Sequence, residues 1–355
     1  MHTHTKTSSF SKTLIFWYLQ NKRDLPWRNT TNPYFIWLSE IILQQTRVNQ
    51  GLEYYLRFIE TFPSVKDLAD ADEEAILKLW QGLGYYSRAR NLHFSANYVM
   101  NELNGEFPTT YKELLKLRGV GDYTASAIAS ICNNESTAVV DGNVYRLLAR
   151  YFGVKTPINF SKGIKEFKEL AQKLIDKDEP GNYNQAIMEF GATQCKPQNP
   201  DCNNCPLNSG CFAFANNTVD SLPVKENKLK IKKRYFNYIV LIDTHNQTKI
   251  SIRNKKGIWQ GLYEFPLIET SSEIHPEELV QSEEFQSIVD QHNFKLSTFN
   301  QQSIVHKLSH QHLYTKFWVV NCKEKLNNAI LWDDFENYPV PILIHNFVAS
   351  FKDNV

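Results

Sequence analysis

The sequence predicts a multidomain protein in which a large all-α domain precedes a smaller α+β domain. Up to about residue 215, apolar residues recur at three- and four-residue spacing, which is the period of an amphipathic helix. After Pro223 the pattern changes to aromatic and β-branched runs bounded by turn residues, which is typical of strands. We therefore expect an all-α domain over residues 1–217, a basic linker over 218–234 and an α+β domain over 235–355.

Each element follows from the same periodicities. The segments with helical spacing are residues 10–19, 34–50, 53–61, 72–81, 87–103, 111–117, 123–131, 144–152 and 164–175. Residues 225–234 hold six basic residues and one acid, which indicates a solvated linker or a basic clamp. Beyond it, the strand-like runs are residues 235–244, 249–253 and 313–320, with an acidic helical stretch near 277–290 and a closing helix after residue 341.

Composition limits the class of protein. The 355 residues carry 39 Lys and Arg against 38 Asp and Glu, for a net charge of +1, so bulk charge alone does not indicate a nucleic-acid partner. The basic run at 225–234 shows that a neutral total can hide a local positive surface. No apolar run is long enough to cross a bilayer, and residues 1–9 lack the apolar core of a secretion signal. We expect an intracellular, cytoplasmic protein with no membrane partner.

Four of the six cysteines fall within residues 195–211. Cys195, Cys202, Cys205 and Cys211 are separated by six, two and five residues. Four thiolates so close in the chain can converge on one metal centre, and both zinc and iron-sulfur clusters accept four thiolates. Only one pair is tightly spaced, which favours a 4Fe-4S cluster over zinc and leaves zinc open. With all four thiolates used as ligands, we expect a structural or electron-transfer role.

A short glycine-rich turn separates two helical segments. Residues 117–121 read Leu-Arg-Gly-Val-Gly, and Thr110 with Glu113 forms a possible capping box at the start of the first segment. Gly119 and Gly121 allow a tight turn that points backbone amides outward at the start of the next helix, where an anion is favoured. The pattern predicts a phosphate site, although a plain interhelical turn has the same appearance.

Two carboxylates stand out by their surroundings. Glu40 is the only acid in the apolar stretch 34–46, so we expect it to be partly desolvated with a raised pKa. Gln44 would lie one turn further along the same helix face. Asp141 precedes a helix and is expected to be an ionised N-cap. A glutamic acid of raised pKa beside an aspartate is the pairing that cleaves glycosidic bonds, whereas a structural ion pair and a simple cap are the alternatives.

Four stretches of the sequence together resemble one family. They are residues 37–46 (WLSEIILQQT), 82–93 (GLGYYSRARNLH), 140–146 (VDGNVYR) and 184–195 (NQAIMEFGATQC). With the helix-hairpin-helix at 110–131 and the cysteine loop, the chain resembles the helix-hairpin-helix DNA glycosylase superfamily and, within it, the adenine DNA glycosylases. The resemblance covers nearly the whole chain. It implies a monomeric enzyme that removes adenine mispaired with 8-oxoguanine or guanine from double-stranded DNA and holds one 4Fe-4S cluster on its cysteine loop.

The resemblance also implies roles for single residues. Glu40 matches the general acid that protonates adenine, Asp141 matches the carboxylate that stabilises the sugar, and Asn143 matches the residue that orients them. Tyr123 stands where the related endonuclease III type carries the lysine that forms a Schiff base. Since a phenol cannot form one, the resemblance implies a monofunctional enzyme.

Further positions match residues of the family that contact DNA. Gln44, Gln45, Leu83 and Tyr85 match positions that wedge into the duplex near the lesion, and Arg28 and Gln185 match positions lining the adenine pocket. The hairpin glycines Gly119 and Gly121 match the phosphate turn. Arg118 departs from the proline usual there and adds a cation near the phosphate.

The second domain resembles the Nudix-like domain that reads the lesion in this family, through residues 257–266 and Leu308-Ser309-His310. Ser309 and His310 match the loop that contacts 8-oxoguanine. The long acidic signature of true Nudix hydrolases is missing, so we expect no pyrophosphohydrolase activity. Two other functions stay open: an endonuclease III-like lyase acting on oxidised pyrimidines, and a non-catalytic, cluster-bearing DNA-binding protein.

Overall fold

The computed structural model describes residues 2–226, 231–290 and 292–352, with side chains from residue 9 onward. The described residues form two compact units, one of residues 2–70 and 91–226 and the other of residues 71–90 and 231–352. The first strand begins at Lys232, so the last three residues of the predicted linker belong to the sheet. Residues 227–230 of the predicted basic run lie outside the described residues.

The second unit includes a segment that the sequence assigns to the helical domain. Residues 71–90 group with the residues after 230 because their side chains bond to them. The Tyr263 hydroxyl donates to Glu74 at 3.2 Å, and the Val340 backbone N–H donates to Gln81 Oε1 at 3.3 Å. The first compact unit therefore lacks a segment that the sequence places in the helical domain, because periodicity reports that a segment is helical and not what it packs against.

Most predicted helical segments form helices, with differences at several ends, and helices also form at Val65–Asp70, Pro180–Thr193 and Phe212–Ala215, outside the segments named from the sequence. In chain order they are α1 (His2–Asn21), α2 (Pro33–Leu43), α3 (Val48–Thr61), α4 (Val65–Asp70), α5 (Glu73–Leu79), α6 (Ser87–Glu102), α7 (Tyr111–Leu114), α8 (Asp122–Asn133), α9 (Gly142–Phe152), α10 (Ser161–Leu174), α11 (Pro180–Thr193), α12 (Phe212–Ala215), α13 (Pro276–Gln281), α14 (Glu283–Val289) and α15 (Ile342–Lys352). Helix α5 lies in the second unit.

The predicted helix over 34–50 is in fact two helices. Helix α2 ends at Leu43 and α3 begins at Val48, with Gln45 between them in the left-handed region at φ +56°. Gly51, which lies between the predicted segments 34–50 and 53–61, is inside α3. A Cβ at Gly51 would stand 2.7 Å from Leu43 Cδ2, so the glycine allows the two helices to pack closely. Gln44 is therefore the C-cap of α2 and does not continue the helix face of Glu40.

An apolar core packs four helices of the first unit together. Helices α1, α9, α10 and α11 contribute buried side chains such as Leu14, Leu148, Phe167 and Phe190, none more than 1% exposed. Helix α9 ends at Gly153, whose φ of +72° is the left-handed C-cap that glycine adopts without strain. This packing fixes α9 against α11, and the site described below lies between their ends and α2.

The second unit is built on a mixed sheet. Its strands are β1 (Lys232–Ile242), β2 (Gln247–Thr248), β3 (Ser251–Ile252), β4 (Tyr263–Glu264), β5 (Leu267–Thr270), β6 (Phe294–Thr298), β7 (Ile304–Lys307), β8 (Gln311–Cys322) and β9 (Ile330–Leu331). The main sheet has the order β5-β1-β8-β6, in which β1 and β8 run parallel, and β7 pairs with β8 as a hairpin. The predicted α+β domain is confirmed, although the expected strand over 249–253 is only two residues long.

Among the described residues, none of the helices combines the length and the apolar character needed to cross a lipid bilayer.

Candidate active site

A cavity of about 220 Å³ in the first unit gathers the residues expected to do chemistry. Side chains come from the turn before α2, from α2, from α8, from the N-cap of α9 and from α11. Six residues singled out in the sequence line it: Arg28, Glu40, Tyr123, Asp141, Asn143 and Gln185. The structure thus brings into one cavity residues that are up to 157 positions apart in the chain.

Glu40 carries its acid on the largely buried face of α2. Its neighbours Ser39, Ile41 and Ile42 are all at most 2% exposed. Loss of hydration disfavours the charged form, and this burial raises the pKa of the Glu40 carboxyl to about 7, with the nearby Asp141 charge adding to the rise. The sequence-based expectation of a raised pKa is confirmed, so Glu40 can hold or release a proton near neutral pH.

Tyr123 faces Glu40 from α8. Its hydroxyl donates to Met188 Sδ at 3.0 Å and lies near the Glu40 carboxyl, where its polar O–H opposes part of the rise in the Glu40 pKa. Burial and the carboxylates Glu40 and Asp141 raise the pKa of the Tyr123 phenol well above its ordinary value. Tyr123 is therefore a neutral hydrogen-bond donor in the cavity.

Asp141 is the N-cap of α9, as its position in the sequence predicts. Its Oδ1 accepts from the backbone N–H of Asn143 at 2.9 Å and of Val144 at 2.8 Å, and its Oδ2 accepts from Asn143 Nδ2 at 2.8 Å. Burial nevertheless raises the Asp141 pKa, because desolvation outweighs these donors. Three hydrogen bonds therefore hold Asp141 rigidly at the start of α9.

Asn143 connects Asp141 to a buried arginine. The Asn143 Oδ1 accepts from Arg146 Nη2 at 2.9 Å, so both ends of the amide are fixed. Arg146 in turn donates to the backbone oxygens of Gly191 at 2.6 Å and Cys195 at 2.8 Å. This chain of hydrogen bonds orients Asp141 from the end of α11.

Glu189 is a cavity residue that the sequence reasoning missed. It is 1% exposed and accepts from Arg23 Nε at 2.7 Å and from Arg28 Nη2 at 2.6 Å. These two guanidinium groups outweigh burial and lower the pKa of the Glu189 carboxyl to about 2. Its position as the only acid in α11 was an available signal. The pair holds Arg28 in the cavity wall, while the Tyr18 hydroxyl orients Gln185 through its Oε1 at 3.0 Å.

The two glycines of the glycine-rich turn have different conformations. Gly119 adopts φ +81°, which only glycine takes readily, and a Cβ there would stand 3.1 Å from Asn91. Gly121 differs from the prediction, because its φ of −97° is extended and a Cβ would meet nothing within 4 Å. Gly121 is instead the N-cap of α8, whose first N–H groups lack partners within the helix.

Two more predicted DNA contacts adjoin this turn. Gln44 Nε2 donates to the Gly119 backbone oxygen at 3.2 Å, so Gln44 braces the turn. Gln45 is exposed. The Arg118 guanidinium stacks on the half-exposed Phe94 ring, 3.4 Å from its centroid.

In the second unit, the predicted wedge and the predicted reading loop meet at one cavity. This cavity has a volume of about 620 Å³ and is lined by Leu83, Tyr85, Ser309 and His310 among others. The Tyr85 and Ser309 hydroxyls are hydrogen-bonded, and Tyr85 is 48% exposed at φ +47°. Leu83 is only 7% exposed, so this conformation presents Tyr85 and not Leu83 to a partner.

The four cysteines of the 195–211 loop line one small cavity of about 30 Å³ beside Arg150. Arg150 Nη1 donates to Cys195 Sγ at 3.5 Å, and burial raises the pKa of the Cys205 thiol to about 11, with the other three thiols contributing through their charges. All six cysteines are free thiols. Within the described ranges, no three His, Cys, Asp or Glu side chains are grouped so as to hold a single metal ion.

Two family descriptions match the chain. Residues 38–177 match the HhH-GPD superfamily base excision DNA repair protein family, and residues 237–350 match the NUDIX domain family. The two matched segments correspond to the helical part and to the sheet of the second unit.

The chain is also similar to several named DNA glycosylases. The adenine DNA glycosylase of Buchnera aphidicola subsp. Baizongia pistaciae is 35% identical over 341 residues, covering 93% of this chain and 92% of that protein. The human adenine DNA glycosylase is 44% identical over 217 residues, covering 59% of this chain and 40% of the human protein. A solved structure of a thermostable thymine-DNA glycosylase is 30% identical with a TM-score of 0.57, covering 61% of this chain and 100% of that one.

Proposed function

The chain belongs to the adenine DNA glycosylases of the HhH-GPD superfamily, and from this premise we propose that it hydrolyses the N-glycosidic bond of adenine opposite 8-oxoguanine or guanine in double-stranded DNA. The observation that carries the proposal is the pair of carboxyls in one cavity, Glu40 with a pKa near 7 and Asp141 held by three hydrogen bonds. Cleavage of a glycosidic bond uses one carboxyl that gives a proton to the leaving group and a second that stabilises the positive charge on the sugar.

Glu40 supplies the proton in this mechanism. Adenine is a poor leaving group as an anion, and protonation of its ring nitrogen N7 lets it depart as a neutral base. A carboxyl with a pKa near the working pH is protonated often enough to act and acidic enough to transfer its proton. Tyr123 lines the same cavity with its hydroxyl near the Glu40 carboxyl, where it would help to position the acid.

Asp141 acts on the sugar. As the bond to adenine breaks, positive charge develops at the anomeric carbon, and an ionised carboxylate beside it stabilises that charge. The two amide N–H donors and the Asn143 side chain fix the Asp141 oxygens, so little reorganisation accompanies the step. Water then adds to the anomeric carbon and leaves an abasic site.

The wall of the cavity is suited to an extruded adenine. Gln185 can both donate to and accept from the base edge, and the low pKa of Glu189 keeps it an acceptor for the exocyclic amino group. Arg28, paired to Glu189, offers further N–H donors. These three residues supply a pattern of donors and acceptors that suits the edge of a purine.

Tyr123 argues for a monofunctional enzyme. A lyase of the endonuclease III type needs an amine to form a Schiff base with the sugar, and the phenol of Tyr123 cannot provide one. Glycosylase activity without strand cleavage is therefore the outcome we expect. The lyase alternative lacks its nucleophile at this position.

DNA contacts are assigned to two groups of residues. The Gly119 and Gly121 turn with Arg118 would hold a phosphate, and Gln45 is exposed for insertion into the duplex. In the second unit, Tyr85, Ser309 and His310 would recognise 8-oxoguanine.

We further propose that Cys195, Cys202, Cys205 and Cys211 hold one 4Fe-4S cluster. Their shared cavity and the Arg150 guanidinium beside Cys195 fit a negatively charged four-thiolate group. Bound there, the cluster would hold the loop together. Four irons per chain with visible charge-transfer absorption would support this, and a colourless protein containing zinc would contradict it.

The carboxylate pair is tested by single-turnover adenine release from an 8-oxoguanine:A duplex. Asp141→Asn should abolish release while duplex binding survives, because the substitution keeps the shape and removes the charge. Glu60→Gln, an acid at the end of α3 outside the cavity, is the matched control and should release adenine at the wild-type rate. If Asp141→Asn still releases adenine, the chain is better described as a non-catalytic or differently acting DNA-binding protein.

A further inference from the structure

The Tyr123 hydroxyl stands before two acceptors of very different strength. Met188 on α11 presents its thioether sulfur at 3.0 Å, and Glu40 on α2 presents its carboxyl. A hydroxyl has one proton to donate, so a bond to Met188 is made at the expense of the bond to Glu40. Met188, Tyr123 and Glu40 all line the same cavity.

The choice of acceptor affects the state of Glu40. A hydrogen bond to a carboxylate favours its charged form, so Glu40 loses its proton more easily when Tyr123 donates to it. A thioether is a weak acceptor, yet one held at 3.0 Å competes for the same proton. We propose that Met188 is a positioning residue that draws the Tyr123 hydroxyl partly away from Glu40, so that Glu40 keeps the proton it delivers to adenine.

This inference rests on the proposed function, since it gives Glu40 the role of general acid. It goes beyond that function by assigning a role to Met188, a residue that would otherwise be read as an apolar part of the pocket wall. A purely packing role would be equally satisfied by any side chain of the same volume.

Other ionisable groups line the cavity or interact with Glu40. Burial raises the pKa of the Cys132 thiol on α8 to about 12, and Arg23 and Arg28 lower the pKa of Glu189 on α11 to about 2. The Tyr123 pKa is far above neutral, and burial raises the pKa of Asp141 at the start of α9. Glu40 has a pKa of about 7, so we assign to it the limb near pH 7 that should move with Met188 and Tyr123.

The test is the pH profile of single-turnover adenine release from an 8-oxoguanine:A duplex, measured on the full chain. Release should fall as pH rises through the Glu40 pKa, because the acid must be protonated to act. Met188→Leu keeps the volume and removes the acceptor, so Tyr123 should donate more to Glu40. The alkaline limb should then move to lower pH, with release at about pH 8 slowed by roughly threefold to tenfold.

A double-mutant comparison separates positioning from packing. Tyr123→Phe removes the donor and should move the limb to higher pH, and in that background Met188→Leu should cause no shift. Met100→Leu, outside the cavity, is the matched control and should leave the profile unchanged. The position of the limb is the readout, so it does not depend on the maximal rate or on duplex affinity.

Two outcomes overturn the inference. One is an unshifted limb in Met188→Leu, and the other is the same shift with Phe at position 123 as with Tyr. A wild-type protein that releases no adenine at any pH is a different result, because it contradicts the proposed function itself.

Discussion

At the scale of single residues, the site depends on Glu40, whose burial destabilises its charged form. An acid enclosed by the apolar residues of α2 loses hydration, and the raised pKa records that loss. The same property that suits Glu40 to proton transfer near neutral pH makes its charged form destabilising. Active sites commonly contain such groups, whose removal stabilises the fold while ending activity.

Glu40→Gln should stabilise the protein at neutral and alkaline pH. Folding takes up a proton at Glu40 between its unfolded pKa near 4.5 and its folded pKa near 7, so wild-type stability falls as pH rises through that window and then levels off. The variant does not titrate there. Its advantage in the free energy of unfolding should be near zero at low pH and at most about 3 kcal/mol at neutral pH and above.

Denaturant unfolding across this pH range measures the difference. An advantage that does not change with pH would show that Glu40 is not desolvated.

Sequence reasoning identified the residues whose local context was unusual. Glu40 is a lone acid in an apolar helix, and Asp141 precedes a helix as an N-cap does, so both could be singled out. Met188 could not, because its importance comes from a partner more than 60 positions away in the chain, and Glu189 had only the weaker signal of being the one acid in α11. The rise in the Asp141 pKa was also missed, since its cause is burial in the folded chain.

At the scale of elements, the turn between α7 and α8 contains two glycines with different backbone conformations. Gly119 is held at φ +81° against Asn91, while Gly121 is extended with open space where a Cβ would be. The sequence predicted the turn but treated the two glycines alike. Only the backbone conformation shows that the fold requires glycine at position 119, whereas Gly121 leaves open space at the start of α8.

Gly119→Ala and Gly121→Ala should therefore differ. Alanine at Gly119 meets both the left-handed φ and Asn91, and should cost about 1–2 kcal/mol of stability together with a loss of duplex affinity. Alanine at Gly121 should leave stability within about 0.5 kcal/mol and affect duplex binding alone. Denaturant unfolding and duplex titration measure the two effects. Equal stability losses would contradict the assignment of strain to Gly119.

The hairpin of β7 and β8 supports the reading loop. Leu308 donates its backbone N–H to the Gln311 backbone oxygen at 2.9 Å, which closes the turn around Ser309 and His310. The sequence could match this loop to a family motif. It could not predict the hydrogen bond between Ser309 and Tyr85, whose positions are 224 apart in the chain.

Ser309→Ala with His310→Ala should narrow the preference for 8-oxoguanine:A over G:A duplexes, because the change removes polar groups that would bind the oxidised base. Relative single-turnover rates on the two duplexes measure this. The Asn328→Ala variant, in a turn distant in sequence from the loop, is the control. If the double variant keeps the wild-type ratio of rates on the two duplexes, the loop does not recognise 8-oxoguanine.

At the scale of the whole molecule, the pattern of periodicity separated helices from strands more reliably than it separated domains. The change of pattern after Pro223 agrees with the start of β1 at Lys232. Residues 71–90 have helical spacing and yet pack in the second unit, because packing partners depend on surface complementarity that periodicity does not record. The segment carrying Tyr85 is thereby brought to the loop carrying Ser309.

The near-zero net charge of the whole chain also bears on how it would bind DNA. With a total of +1, bulk attraction to DNA is modest, and affinity must come from local contacts. The hairpin amides, Arg118 and the cavity of the second unit are the candidates for those contacts. Phosphate contacts would position the duplex, and contacts to the bases would select the lesion.

The most direct test of the central claim is strand cleavage of an 8-oxoguanine:A duplex labelled on the adenine strand, measured with and without alkali after incubation with the full chain. A monofunctional adenine glycosylase leaves an intact backbone with an abasic site that breaks only in alkali. The account predicts cleavage at the adenine position after alkali and none without it. Cleavage without alkali would indicate a lyase, and no cleavage under either condition would contradict adenine release.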